Sequence, residues 1–168
     1  TVDIAIKSAL TGHLVLSTLH TTTSSGAIVR LINMGVEPYL INSALVCVLA
    51  QRLVRKICPF CKEELNIKKE IIESLNLNLN GLKKPLFFHG KGCPSCFNLG
   101  YSGRIGIAEV LLLSLTVREL ILSCAQEHVI KQQARKEGMR TLREEGMQEV
   151  CKGVTTLEEI LRVTAPDE

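Results

Sequence analysis

Four of the chain's seven cysteines fall in two C-x-x-C knuckles, Cys58-Pro59-Phe60-Cys61 and Cys93-Pro94-Ser95-Cys96. A knuckle turns two thiols toward one point, and two knuckles complete a tetrahedron of sulfurs. That donor set is the closed coordination of a structural zinc, with no position left for water or substrate. Two disulfides, two redox dithiols or a chance spacing are the competing readings. No signal-peptide pattern or membrane-length apolar run precedes the knuckles in this sequence. The odd cysteine total is also at variance with a fully paired secreted framework. The expected ligands are therefore Cys58, Cys61, Cys93 and Cys96, with zinc as a structural cofactor. His89 is a possible substitute ligand, but with four thiols at hand a surface or packing role suits it better. Cys47, Cys124 and Cys151 are expected to be small buried hydrophobes.

A second candidate for chemistry is His20. It closes the apolar run Leu14-Val15-Leu16-Ser17-Thr18-Leu19 and is followed by five consecutive hydroxyl residues, Thr21 to Ser25. The run reads as a strand covered on both faces, as in a parallel sheet. Ligands of open α/β sheets collect at the carboxyl ends of strands. An imidazole there can hydrogen-bond a phosphate or a water, and its ordinary pKa allows either charge state. The alternative is a histidine satisfied by hydrogen bonds within its own turn. His13 stands at the other end of the run, where capping of a helix end is the simpler role. Arg30 and Arg52 lie on or just after amphipathic helices, where a solvated charge is the default. The sequence holds no G-x-x-x-x-G-K-[ST], G-x-S-x-G or H-E-x-x-H pattern and no paired-carboxylate constellation. On these grounds the stretch is not a self-sufficient enzyme.

The elements that would position these residues alternate between helix and strand. An amphipathic helix is predicted over Val2–Leu10 with Gly12 as its stop. A second starts at Ser24 or Ser25 and ends at Gly35, and a third opens near Pro38 with an apolar face of Ile41, Ala44, Leu45, Val48 and Leu49. Leu53 to Ile57 reads as a short strand leading into the first knuckle. Between the knuckles a helix is expected over about 67–75, broken by the Asn76–Gly81 repeat, with a strand at Leu86-Phe87-Phe88. Arg104 to Leu111 is strand-like. Three T-x-x-E spacings (Thr116/Glu119, Thr141/Glu144 and Thr156/Glu159) have the form of capping boxes. They predict helices near 117–123, 142–152 and 157–163, with a further helix at 127–136.

The chain of 168 residues is 46% hydrophobic and 22% charged, a globular composition that suits one domain of ordinary size or two small ones. A net charge of +3 with no basic run, no tryptophan and 4% aromatic residues gives no footprint for nucleic acid. The sequence opens on Thr1 within a predicted structured region, so the chain is expected to be part of something longer.

Beyond these local readings, Leu10-Thr11-Gly12-His13-Leu14-Val15-Leu16-Ser17-Thr18-Leu19-His20-Thr21 resembles the histidine box of the secretion and pilus ATPases. These are the motors of type II secretion and type IV pilus assembly. Met34-Gly35-Val36-Glu37-Pro38-Tyr39, then Leu49-Ala50-Gln51-Arg52-Leu53-Val54-Arg55, are similar to the segment that follows the box in that family. The two knuckles match its tetracysteine zinc element, and Gly100–Glu109 and Thr156–Thr164 also fit. The resemblance covers essentially the whole chain and favours the type II secretion branch. It implies an α/β fold: the second half of a RecA-like nucleotide-binding domain with the histidine box over 1–57, the tetracysteine zinc element over 58–100, and a strand with a C-terminal helical cap over 101–168. It further implies His20 and His13 as catalytic residues near the γ-phosphate, with ATP and Mg²⁺ bound upstream at Walker elements outside this stretch. It implies a cytoplasmic homohexamer, peripheral at the inner membrane, that meets platform or anchor proteins there. The family usually has asparagine after the box's His-Thr, where this chain has Thr22. The alternatives are a pilus assembly ATPase and a zinc-stabilised adaptor without nucleotide chemistry.

Overall fold

The computed structural model describes residues 1–67 and 86–166, a mixed α/β chain. Two compact units account for it: Thr1–Ala50 with Glu109–Arg140, and Gln51–Ala108 with Thr141–Glu168.

The first unit is mainly helical. Helices α1 (Val2–Leu10), α2 (Ser24–Asn33) and α3 (Pro38–Ala44) come from its early stretch. Helices α4 (Leu115–Leu122) and α5 (Glu127–Lys136) come from its later one. Their apolar faces meet in one core of Ile28, Val36, Ile41, Leu111, Leu113, Val117, Ile121, Ile130 and Ala134, with Val2, Ile6, Leu31 and Ile32 packed against it. Full burial of one such aliphatic side chain is worth about 1.5–3 kcal/mol. Pro38 sits in the first turn of α3, where its missing N–H is not needed. The α1 span and its stop, with Gly12 at φ +95°, follow the sequence reading.

Two expectations fail in this unit. Leu14–Leu19 does not form a strand, and Leu14 and Leu16 are 86% and 88% exposed. A strand is stabilised by its ladder partners, and among the described residues none pairs with this run. Within the run only Val15 and Leu19 are half-buried. The α3 helix ends at Ala44, so Val48 and Leu49 do not lie on it. They belong instead to β1 (Cys47–Ile57), where the β-branched and apolar residues gain a ladder with β4 (Tyr101–Leu112). The division between the two units falls at residue 50 in β1 and at residue 108 in β4. Cys47 and Cys124 are exposed and Cys151 is half-buried, so the expectation of three buried cysteines is also corrected.

In the second unit β2 (Lys62–Leu65) and β3 (Phe87–Gly90) form an antiparallel pair, with Lys62 opposite Gly90 and Leu65 opposite Phe87. The helix expected over 67–75 and the break at Asn76–Gly81 lie outside the described residues, apart from Ile67, which is not helical. Helices α6 (Leu142–Cys151) and α7 (Leu157–Val163) complete the unit. Buried side chains here include Val54, Ile57, Phe87, Ile107, Met147, Val150 and Ile160.

The three T-x-x-E spacings have three outcomes. Thr141 and Glu144 make a full capping box: the Thr141 hydroxyl accepts from the Glu144 N–H at 3.1 Å, and the Glu144 carboxylate accepts from the Thr141 N–H at 2.9 Å. Thr156 caps the Glu159 N–H, but the Glu159 carboxylate turns to two arginines instead. Thr116 caps nothing, because Ser114 starts α4 by accepting from the Val117 N–H. Competing partners decided each case.

Candidate metal centre and histidine segment

The second unit places the sulfurs of Cys58, Cys61, Cys93 and Cys96 within 4.8 Å of one another. Cys58, Cys61 and Cys96 are buried and Cys93 is partly so. Separations of 3.9 Å (Cys58–Cys93), 3.8 Å (Cys61–Cys96) and 3.7 Å (Cys93–Cys96) span the group. A tetrahedron built from zinc–sulfur bonds of about 2.3 Å has edges of about 3.8 Å. The donor set therefore fits zinc in both chemistry and size.

Local backbone geometry explains how two short motifs reach this arrangement. The second knuckle is a single 3₁₀ turn, Pro94–Cys96, followed by left-handed Phe97 (φ +52°) and Asn98 (φ +60°). Gly92 enters it at φ +94°, and a Cβ there would stand 2.9 Å from the Asn98 carbonyl oxygen. Only glycine combines that φ with so close an approach. The Cys58 N–H donates to the Gly100 carbonyl at 3.0 Å, and the Lys91 N–H to the Cys61 carbonyl at 3.1 Å, so both cysteines of the first knuckle are bonded to the flanks of the second. The β2–β3 pair joins them a second time.

The four thiols are not electrostatically alike. Burial pushes Cys61 up to about 12, with hydrogen bonds to the neighbouring thiols adding to it. Burial opposes the Cys96 thiolate too. The N–H groups of Cys93 and Gly100, each 3.3 Å from its sulfur, outweigh that effect and bring Cys96 down to about 6. Four thiolates in so small a buried volume need a cation to stabilise them, and a divalent metal supplies it. His89 is not among the clustered ligand atoms, and among the described residues its buried Nδ1 has no hydrogen-bond partner.

In the same unit lies a hub that sequence reasoning missed. Glu159, fully buried, accepts from Arg55 Nε (3.0 Å) and Nη2 (2.7 Å), from Arg162 Nε (3.0 Å) and Nη2 (2.8 Å), and from the Arg55 N–H (3.1 Å). Arg55 also lies 4.1 Å over the Tyr101 ring, and the Tyr101 hydroxyl pairs with Thr156 Oγ1 at 2.8 Å. The T-x-x-E spacing that located Glu159 pointed to a cap and hid the ion pairs.

His13 and His20 both lie on the first unit, on the irregular segment between α1 and α2, and both are exposed. His13 Nδ1 is 3.1 Å from the Thr11 hydroxyl, and its N–H donates to the Ser8 carbonyl at 3.2 Å. The end of α1 thus holds His13 as sequence reasoning expected. His20 stands a short step before α2. Thr23 is the cap of that helix, in place of the expected Ser24 or Ser25, and its hydroxyl accepts from the Gly26 N–H at 3.0 Å. Two carboxylates, Glu109 and Glu127, reach the same turn and were not foreseen. The signal available for Glu109 was an acidic residue inside an apolar strand sequence.

A family model described as "Type II/IV secretion system protein" matches residues 1–162. The chain belongs to that family. It is 47% identical over 165 residues to the type II secretion system ATPase E of Vibrio cholerae, covering 98% of this chain and 32% of that protein. It is 44% identical over 164 residues to the type IV pilus assembly ATPase PilB of Thermus thermophilus, covering 98% of this chain and 18% of that protein. The type II secretion system protein E of Pseudomonas aeruginosa is also 44% identical over 164 residues, with 98% and 32% covered. The chain thus spans about a third or less of the length of these relatives.

Proposed function

We propose that this chain is the C-terminal part of an ATPase that powers type II protein secretion, with its tetracysteine cluster holding a structural zinc. The observation that carries this reading is the 47% identity to a type II secretion ATPase across 98% of the chain. The tetrahedral spacing of the four sulfurs supports the zinc. Zinc there would close the second unit by neutralising Cys58, Cys61, Cys93 and Cys96, with no open position for catalysis.

ATP and Mg²⁺ would bind to phosphate-binding elements elsewhere in the longer protein. His20, exposed before the hydroxyl-rich start of α2, would approach the terminal phosphate and favour hydrolysis through positioning and electrostatics. His13 would lie at the far end of the same segment. The working form would be a cytoplasmic homohexamer at the inner membrane, with the zinc-bearing unit meeting a platform or anchor protein. A pilus assembly role is the second reading, favoured by the 44% identity to the Thermus thermophilus protein.

Steady-state hydrolysis by the longer protein tests the reading. His20→Ala is expected to lower kcat on the order of 10²-fold, the usual loss of one positioned electrostatic contact. The 168-residue chain by itself is expected to hydrolyse no ATP. An undiminished His20→Ala rate would remove the histidine from the mechanism. Turnover by the chain itself would refute the assignment of nucleotide binding to elements elsewhere.

A further inference from the structure

The first turn of α2 is held far more firmly than a helix start requires. Thr23 already supplies the cap, accepting from the Gly26 N–H. Four more donors from three consecutive residues run to two carboxylates distant in sequence. The Ser24 N–H donates to Glu109 Oε1 at 2.9 Å, and the Ser24 hydroxyl donates to the same oxygen. The hydroxyls of Thr23 (2.6 Å) and Ser25 (3.3 Å) both donate to Glu127 Oε1. Ser24 and Ser25 are fully buried and Glu109 is 2% exposed. Space is allotted to the contact as well: a Cβ on Gly26 would lie 2.7 Å from Thr23 Oγ1 and 3.2 Å from Glu127 Oε1.

A buried carboxyl group is costly unless it is hydrogen-bonded, so the contacts to Glu109 fix one geometry and penalise others. Its neighbour in the chain is the irregular segment that ends at His20. From His20 to Ser24 is four residue steps, at most about 14 Å of chain. The first turn of α2 is therefore the helical anchor on the C-terminal side of the segment that carries the imidazole.

We propose that Glu109 and Glu127 are positioning residues for His20, clamping the first turn of α2 so that the imidazole is held where hydrolysis uses it. The inference rests on the role of His20 given under Proposed function.

The test is a set of double-mutant cycles on ATP hydrolysis by the longer protein. Glu127 is half-buried at the start of α5, so Glu127→Ala is expected to fold. It is expected to lower kcat on the order of tenfold, with KM for ATP within about twofold, because a small misplacement of a reacting group has effects of at least that size. Glu127→Gln keeps an acceptor for Thr23 and Ser25 and is expected to restore most of the rate. In a His20→Ala background, Glu127→Ala is expected to change kcat by less than about twofold, because the group it positions is gone. Glu109→Ala is expected to behave in the same way, and if it unfolds the Glu127 cycle decides alone. Wild-type kcat in Glu127→Ala, or an equal loss with and without His20, would overturn the proposal while leaving the role of His20 intact. A wild-type rate in His20→Ala itself would refute both.

Discussion

Replacing Glu159 tests the account of the second unit most directly. In Glu159→Ala the Arg55 N–H loses its 3.1 Å acceptor in a part-buried setting. An orphaned buried donor costs about 1–3 kcal/mol. Arg55 and Arg162 are 42% and 58% exposed, so both guanidiniums regain water when the carboxylate leaves. Each lost ion pair then adds only about 0–1 kcal/mol. Loss of the buried methylene adds about 0.8 kcal/mol, for a total of about 2–6 kcal/mol. Glu159→Gln keeps an acceptor for the Arg55 N–H and is expected to cost about half as much. The pH dependence carries a definite sign. Burial works to raise the Glu159 carboxyl, but hydrogen bonds from Arg162 and Arg55 outweigh it and bring it from 4.5 down to about 2. A depressed carboxyl stabilises the fold above its unfolded pKa and loses that contribution as the pH falls through the folded value. The stability gap between wild type and Glu159→Gln should therefore be full at pH 7 and shrink between about 4.5 and 2. Urea unfolding followed by circular dichroism, at matched pH for both proteins, measures the gap with thiol titration common to each. A Glu159→Ala variant within about 0.5 kcal/mol of wild type would refute the reasoning, since that is the scale of ordinary surface substitutions. So would a gap unchanged down to the lower pH limit.

Three further outcomes are expected. The purified chain should carry one zinc, and Co²⁺ in its place should give the intense visible bands of tetrahedral thiolate coordination. Cys58→Ser or chelation should lower stability sharply, because structural zinc contributes on the order of 10 kcal/mol, whereas unchanged melting after metal removal would exclude a structural role. Thr141→Ala should cost about 1 kcal/mol through loss of its capping box, while Thr116→Ala should be nearly neutral. Matched thermal melts of the pair would contradict the cap assignments if the two variants melted alike.

The parts of this molecule that were legible in its sequence are those whose physics is local. Four thiols at knuckle spacing specify a coordination polyhedron almost regardless of their surroundings, so Cys58, Cys61, Cys93 and Cys96 could be read directly. Helix α1 and the Thr141 box were legible for the same reason, since their signals lie within a few residues. Strands were harder, because a strand exists only with a partner. Leu14–Leu19 has the apolar pattern without a neighbour, whereas Val48 and Leu49 continued a helical pattern yet pair in β1. The carboxylates were least legible. Glu109 meets Ser24 across 85 positions and Glu159 meets Arg55 across 104, separations at which no spacing rule operates.

The division of each unit into two distant stretches also bears on the order in which the chain can become ordered during synthesis. The first unit has all its residues once Arg140 has been made, whereas the second still lacks Thr141 to Glu168. At that moment all four cysteines are already present, but Thr156, Glu159 and Arg162 are not. Metal capture therefore becomes possible before Arg55 has its carboxylate. Residues 141 to 168 then join the second unit through contacts of long sequence separation, such as Glu159 with Arg55, the class that forms slowly. In a nascent chain the knuckles would act as a folding nucleus as well as a brace for the finished structure.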